Sequence, residues 1–158
     1  MKRSVLSILV LSVLLGIRPS FAEEPTREQT IKFIESKCDI RFEDSGNRSD
    51  YRVQDVTIKD CIITTTEKQP KYGKVYTQEI ALKELDPTRI EIIQRGEDRG
   101  YEAGLIYIKV FNDRHLVKGN KSRAFELSLW TRPGDHTLKA AKAMAHLIKL
   151  CGGKGEMF

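Results

Sequence analysis

YRVQDVTIKDCIITTTEKQPKYGKVYTQEIAL, residues 51–82, is the stretch on which the fold turns. It holds three runs rich in β-branched and aromatic residues: YRVQDVTI (51–58), CIITTTE (61–67) and KVYTQEIAL (74–82). Short runs of this kind bounded by turn residues read as strands. The links between them, Lys59-Asp60 and a stretch around Gln69-Pro70, are too short for a crossover helix. Neighbouring strands must therefore run antiparallel.

Working outward, RIEIIQR (89–95), LIYIKVF (105–111) and RAFELSLW (123–130) read as three more strands. Asp86-Pro87, Gly96 to Gly100 and Gly119-Asn120 punctuate them, and the spacing predicts an antiparallel meander. Upstream, Thr26-Arg27-Glu28-Gln29 fits a capping box, and Ile31, Ile34 and Cys38 share one face, which predicts a helix over about 26–38. Residues 43–47, EDSGN, read as a turn or loop. Downstream, Arg132-Pro133-Gly134-Asp135 closes the last strand, and Asp135 is the expected cap of a helix running to Leu150. Ala140, Ala141, Met144, Leu147, Ile148 and Cys151 fall on one side of that helix, and Gly152-Gly153 is its expected left-handed stop. The expectation is a single α+β domain: an N-terminal helix, about six antiparallel strands in a curved sheet or partial barrel, and a C-terminal amphipathic helix packed on it.

The first 22 residues carry a different signal. Lys2 and Arg3 precede a short apolar run from Val5 to Ile17, and Ser20 and Ala22 occupy the small-residue positions of a cleavage site. This is the pattern of a secretory signal peptide. The apolar run falls short of the roughly 20 residues that span a bilayer, and Glu23 stands where a lipoprotein needs cysteine. The expected mature chain is Glu23 to Phe158, periplasmic or secreted, with no transmembrane segment after cleavage. Cleavage removes Lys2, Arg3 and Arg18, which leaves 24 basic against 22 acidic residues, a net charge of +2 in place of +5. That small excess gives no electrostatic footprint for nucleic acid. A mature chain of this length suits one domain with one core.

Familiar catalytic and ligand signatures fail in turn. There is no G-x-S-x-G, no phosphate-binding G-x-x-x-x-G-K-[ST], no H-E-x-x-H and no C-x-x-C. The glycines of RGEDRG (95–100) are too few and too closely flanked by charge to cradle phosphate. His115, His136 and His146 are dispersed, and surface positions are the plainer reading. The sequons Asn47-Arg48-Ser49 and Asn120-Lys121-Ser122 read as chance occurrences. No cofactor and no metal site are expected.

Two surfaces invite a functional reading. Lys139, Lys142, His146 and Lys149 line the side of the last helix opposite its apolar stripe. A solvated face is the ordinary account; contact with an anionic envelope lipid, acidic protein or glycan is the sharper one. In 123–130, Phe125, Leu127 and Leu129 alternate with Glu126, Ser128 and Trp130. In 105–111, Ile106, Ile108 and Val110 alternate with Leu105, Tyr107, Lys109 and Phe111. With the aliphatics inward, Tyr107, Lys109, Phe111 and Trp130 share the other face. The N-terminal helix covers that face on one reading, and it is an aromatic binding face on the other.

A curved antiparallel sheet closed by a C-terminal amphipathic helix resembles the pleckstrin-homology-like barrel, which implies no ligand. A cystatin-like or other sheet-on-helix layout is the second choice. The tail LIKLCGGK (147–154), with KDCIITTT (59–66), is similar to a set of uncharacterised exported bacterial proteins in which a strand cysteine and a helix-terminal cysteine recur. An oxidising compartment makes disulfides available, and three cysteines allow one intramolecular pair: Cys38–Cys61, Cys38–Cys151 or Cys61–Cys151. On an inward strand set of Cys61, Ile63 and Thr65, all three can face the core. The chain-entropy model gives about 4–5 kcal/mol for a Cys61–Cys151 loop and roughly 3 for Cys38–Cys61, but geometry and not loop length decides a pairing. The resemblance implies Cys61–Cys151, with Cys38 left as a thiol. The expected function is an exported, non-enzymatic binding or interaction module with an unknown protein or envelope component as partner. The alternative is a small secreted hydrolase using His115 with Asp113 or Glu126.

Overall fold

A computed structural model of the chain describes residues 24–43, 51–95, 103–119, 123–132 and 134–154. The signal segment, the Glu23 cleavage site, the loop beyond Glu43, the Gly96 to Gly100 punctuation and both sequons lie outside these residues.

Helix α1 spans Arg27–Cys38. Its capping box forms as the sequence predicts: the Gln29 amide donates to Thr26 Oγ1 at 3.2 Å, and the Thr26 amide donates to Gln29 Oε1 at 2.8 Å. Thr30, Ile34 and Cys38 are its buried residues, and Ile31 packs half-buried beside them.

The strands are β1 (Ile40–Glu43), β2 (Tyr51–Lys59), β3 (Ile62–Gln69), β4 (Lys74–Ala81), β5 (Leu85–Arg95), β6 (Ala103–Val110), β7 (Val117–Gly119), β8 (Arg123–Ala124) and β9 (Glu126–Thr131). Five of the six predicted strands are present as single strands, and every pairing is antiparallel. The single curved sheet of about six strands is corrected. The strands form a six-stranded sheet, β1-β2-β3-β4-β7-β8, and a three-stranded sheet, β5-β6-β9. They do not close into a barrel. The expected last strand is broken at Phe125, where the chain steps from β8 in the first sheet to β9 in the second. The Phe125 carbonyl accepts from the Val110 amide at 2.8 Å, which holds the step against the end of β6.

β2 and β3 form a hairpin in which Lys59 faces Ile62, so Asp60-Cys61 is a two-residue turn with φ of 50° and 59°. Two successive positive φ values are the mark of a type I′ turn, whose twist matches that of the strands. Cys61 therefore belongs to the turn and not to the strand, while Ile63 and Thr65 are buried as the alternation predicts.

Helix α2 spans Asp135–Leu150, and its apolar stripe is the predicted one: Ala140, Ala141, Met144, Leu147 and Ile148 are buried. Asp135 is not its cap. Gly134 is the N-cap residue, and Asp135 is the first helical residue, 3.9 Å from Lys139. The first turn is instead anchored by the buried Thr137, whose hydroxyl lies 2.8 Å from that of Thr131 and 3.0 Å from the Arg132 carbonyl. At the other end the two glycines have separate tasks. Gly152 takes the left-handed conformation (φ 83°). The Gly153 amide then reaches the Ile148 carbonyl at 2.8 Å and the Gly152 amide reaches Lys149 at 3.0 Å, the paired bonds of a Schellman motif. Gly153 is needed for proximity: a Cβ there would sit 2.3 Å from Ile148 Cγ2 and 3.2 Å from the Leu85 carbonyl oxygen.

The main core lies between the sheets and the helices. It joins Ile58, Ile63 and Ile80 of the first sheet, Ile106, Ile108, Leu127 and Leu129 of the second, and the stripe of α2. Cys61 and Cys151 stand at disulfide-bond distance, with Cα atoms 5.7 Å apart and a sequence separation of 90. The pair ties the β2–β3 turn to the end of α2. Cys38 is buried and unpaired. Among the described residues, no helix is long and apolar enough to cross a membrane.

Candidate functional site: a polar cleft on the inner face of the larger sheet

Strand alternation and register place residues of β2, β3 and β4 in rows across the inner face of the larger sheet. Ile58, Ile63 and Ile80 form the first row. Val56, Thr65 and Gln78 form the second, and Gln54, Glu67 and Tyr76 the third. The same face thus changes from aliphatic to polar along the strands. The aliphatic end is core; the polar end opens as a cleft of about 560 Å³ that runs across the same sheet to Val117 of β7 and Ala124 of β8 and is bordered from the other sheet by Ser128 of β9. This volume lies within the roughly 300–1,000 Å³ of small-molecule sites.

Buried polar groups need partners, and here they also join the two sheets. Gln54 is 2% exposed. Its Oε1 accepts from the Trp130 amide at 2.9 Å, and its Nε2 donates to the carbonyls of Trp130 (2.9 Å) and Cys38 (2.5 Å). Gln78 Oε1 accepts from both the amide (3.3 Å) and the hydroxyl (3.0 Å) of Ser128. β9 is an edge strand of its sheet, and two glutamine side chains supply bonds that a further strand would make there. At the cleft wall Glu67 accepts from Arg52 Nη1 at 2.6 Å, Gln69 Nε2 at 3.1 Å and Trp130 Nε1 at 3.0 Å.

The aromatic face singled out from sequence is divided. Tyr107 and Trp130 do share the second sheet's other face, packed with Leu105, Ile93, Ala103 and Ile40. Trp130 is only 8% exposed, so no open platform forms around it. Part of its cover comes from Ile40 of β1 and Glu67 of β3. Lys109 is half-buried on β6 opposite Glu126, and Phe111 lies past the strand in a 3-10 turn (Phe111–Asp113).

The basic stripe is divided too. His146 Nε2 lies 3.1 Å from the Pro25 carbonyl oxygen. With Lys139 and Lys142 it borders a largely apolar groove between α1 and α2 that also includes Phe33, while Lys149 is exposed beyond it. His115 packs against the Phe125 ring at 5.8 Å, Asp113 pairs with Arg89 at 2.9 Å, and His115 and Asp113 share no hydrogen bond among the described residues. His115 and Glu126 share no hydrogen bond among the described residues. His136 Nδ1 is buried without a hydrogen-bond partner there.

Sequence reasoning passed over Arg52, Thr65, Glu67, Gln69 and Gln78. Their signal was parity: they share the inward alternation of Val56, Ile58, Ile63 and Ile80, and polar residues at inward positions mark where a core gives way to a site. Burial pushes the Cys38 thiol from its ordinary 9.0 up to about 12, with a smaller contribution from the Asp39 carboxylate. Among the described residues no group of three or more His, Cys, Asp or Glu side chains is arranged to hold a metal ion. Comparison with family models, with curated proteins and with solved structures finds no match to this chain.

Proposed function

We propose that this chain is an exported, disulfide-stapled binding module that seats a small polar ligand in the cleft between the larger sheet and β9. The observation that carries the reading is the polar end of the inner face, where Thr65, Glu67 and Gln78 line a concave space beside Ser128. Gln78 and Glu67 also hold β9 through Ser128 and Trp130, but Thr65 makes no such bond among the described residues and still stands at an inward polar position, unlike the Ile58–Ile63–Ile80 row. The signal-like leader supports delivery outside the cytoplasm, and the Cys61–Cys151 pair suits an oxidising compartment.

The sequence has one tryptophan, and its indole N–H is bonded to Glu67 in the cleft wall. Trp130 emission is therefore a built-in reporter. Mature protein is screened by thermal shift against a library of small polar compounds, since a ligand that binds only the folded state raises Tm. The expected result is a compound that raises Tm and changes Trp130 emission together. Compounds that raise Tm and leave the emission unchanged would place binding elsewhere and contradict the reading.

A further inference from the structure

Resting on that reading, we propose that the cleft's ligand is a neutral polyhydroxylated molecule, a saccharide. The charged groups of the site are spent on one another. Glu67 accepts three hydrogen bonds, one of them in an ion pair with Arg52, so the site offers little net charge to draw in an ion. A carboxylate, phosphate or ammonium ligand would have to compete with that pair.

What the site still offers is neutral and of mixed polarity. Gln78 spends its oxygen on Ser128, so its Nε2 remains as a donor. Gln69 spends its Nε2 on Glu67, so its Oε1 remains as an acceptor. Both amide orientations are fixed, because an N–H must meet an acceptor and a carboxylate must meet a donor. Thr65 is 4% exposed and lines the cleft, and its hydroxyl has no hydrogen-bond partner among the described residues. The fully buried unpartnered side-chain atoms among the described residues are Asp86 Oδ2 and His136 Nδ1, so Thr65 Oγ1 is open to the cleft, where a ligand hydroxyl can reach it. An ammonium group only donates and a carboxylate only accepts, whereas each sugar hydroxyl does both. A polyol can therefore satisfy Gln78, Gln69 and Thr65 together. Ala124, half-buried at the cleft edge, gives an apolar contact for the C–H face of a sugar ring.

The test is calorimetric titration of the mature protein with a panel of neutral mono- and disaccharides, with glycylglycine and inorganic phosphate as the zwitterionic and anionic probes. The expected result is saturable binding of at least one saccharide and of neither comparator. Thr65→Val keeps the side-chain shape and removes the hydroxyl, and should weaken that saccharide about tenfold, the loss of one hydrogen bond. Gln69→Ala, at the open end of the sheet, should also weaken binding and serves should the valine variant not fold. Saccharide binding that both variants leave unchanged overturns the assignment. Binding of glycylglycine or phosphate alone, with a change in Trp130 emission, overturns the saccharide class but keeps the cleft as the site. No binding by any probe, together with no thermal-shift hit that alters Trp130, overturns both.

Discussion

Gly152 and Gly153 look interchangeable in the sequence, and they do different things. Gly152 holds a left-handed φ with nothing within 4 Å of an added Cβ, whereas Gly153 has an ordinary φ but no room. Gly152→Ala should therefore cost about 1–2 kcal/mol through backbone strain. Gly153→Ala forces Ile148 or the backbone beside Leu85 to move, and should cost about 1–3 kcal/mol through overpacking. Urea denaturation of the two variants measures both. Cys38 sets a pH limit. With the thiol at 9.0 unfolded and about 12 folded, its contribution to stability is fully present below pH 9 and is lost as pH rises toward 12. The slope is at most about 1.4 kcal/mol per pH unit. Cys38→Ser titrated in parallel isolates this component: a wild-type curve between pH 9 and 11 that shows no fall relative to the variant would contradict it.

At the scale of elements, the sequence was clearest where a local pattern was long enough to repeat. Both helices, the capping box and six strand positions were legible because periodicity and turn chemistry act over a few neighbouring residues. β1 and β7 were missed because four and three residues are too few to show an alternation. The break at Phe125 was also hidden: a strand that changes sheets keeps strand-like residues on both sides, and the step depends on its partners. The division into two sheets is likewise a long-range outcome. Gln54 joins them: its inward parity with Val56 and Ile58 marks it as a polar residue on the core face, but which backbone groups it would bond depends on the second sheet. Gln54→Leu should strand the amide and carbonyl of Trp130 and the Cys38 carbonyl, at a cost of about 2–4 kcal/mol. A fall in the urea midpoint of that size checks it, and a variant of wild-type stability would show that the bridge is dispensable.

For the molecule as a whole, spacing alone left three cysteine pairings open, and the structure brings Cys61 and Cys151 to disulfide-bond distance. Across 90 residues the staple should contribute about 4–5 kcal/mol, so the Cys61→Ala/Cys151→Ala variant should unfold at markedly lower urea than the oxidised wild type. The leader predicts an exported N-terminus at Glu23, which intact-mass measurement of exported protein checks; retained Met1 on the exported chain would contradict it. The site was the least legible part, because it uses no motif: its residues lie on separate strands and converge only when the sheet curves toward β9. The proposed binding place is this convergence, and not the helical groove bordered by Lys142 and His146. Amide chemical-shift mapping of the mature protein, titrated with a compound that raises its Tm, tests this most directly. The predicted result is perturbation concentrated at Gln54, Thr65, Glu67, Gln78 and Ser128. Perturbation concentrated at Gln29, Phe33, Lys142 and His146, with the cleft amides unmoved, would contradict it.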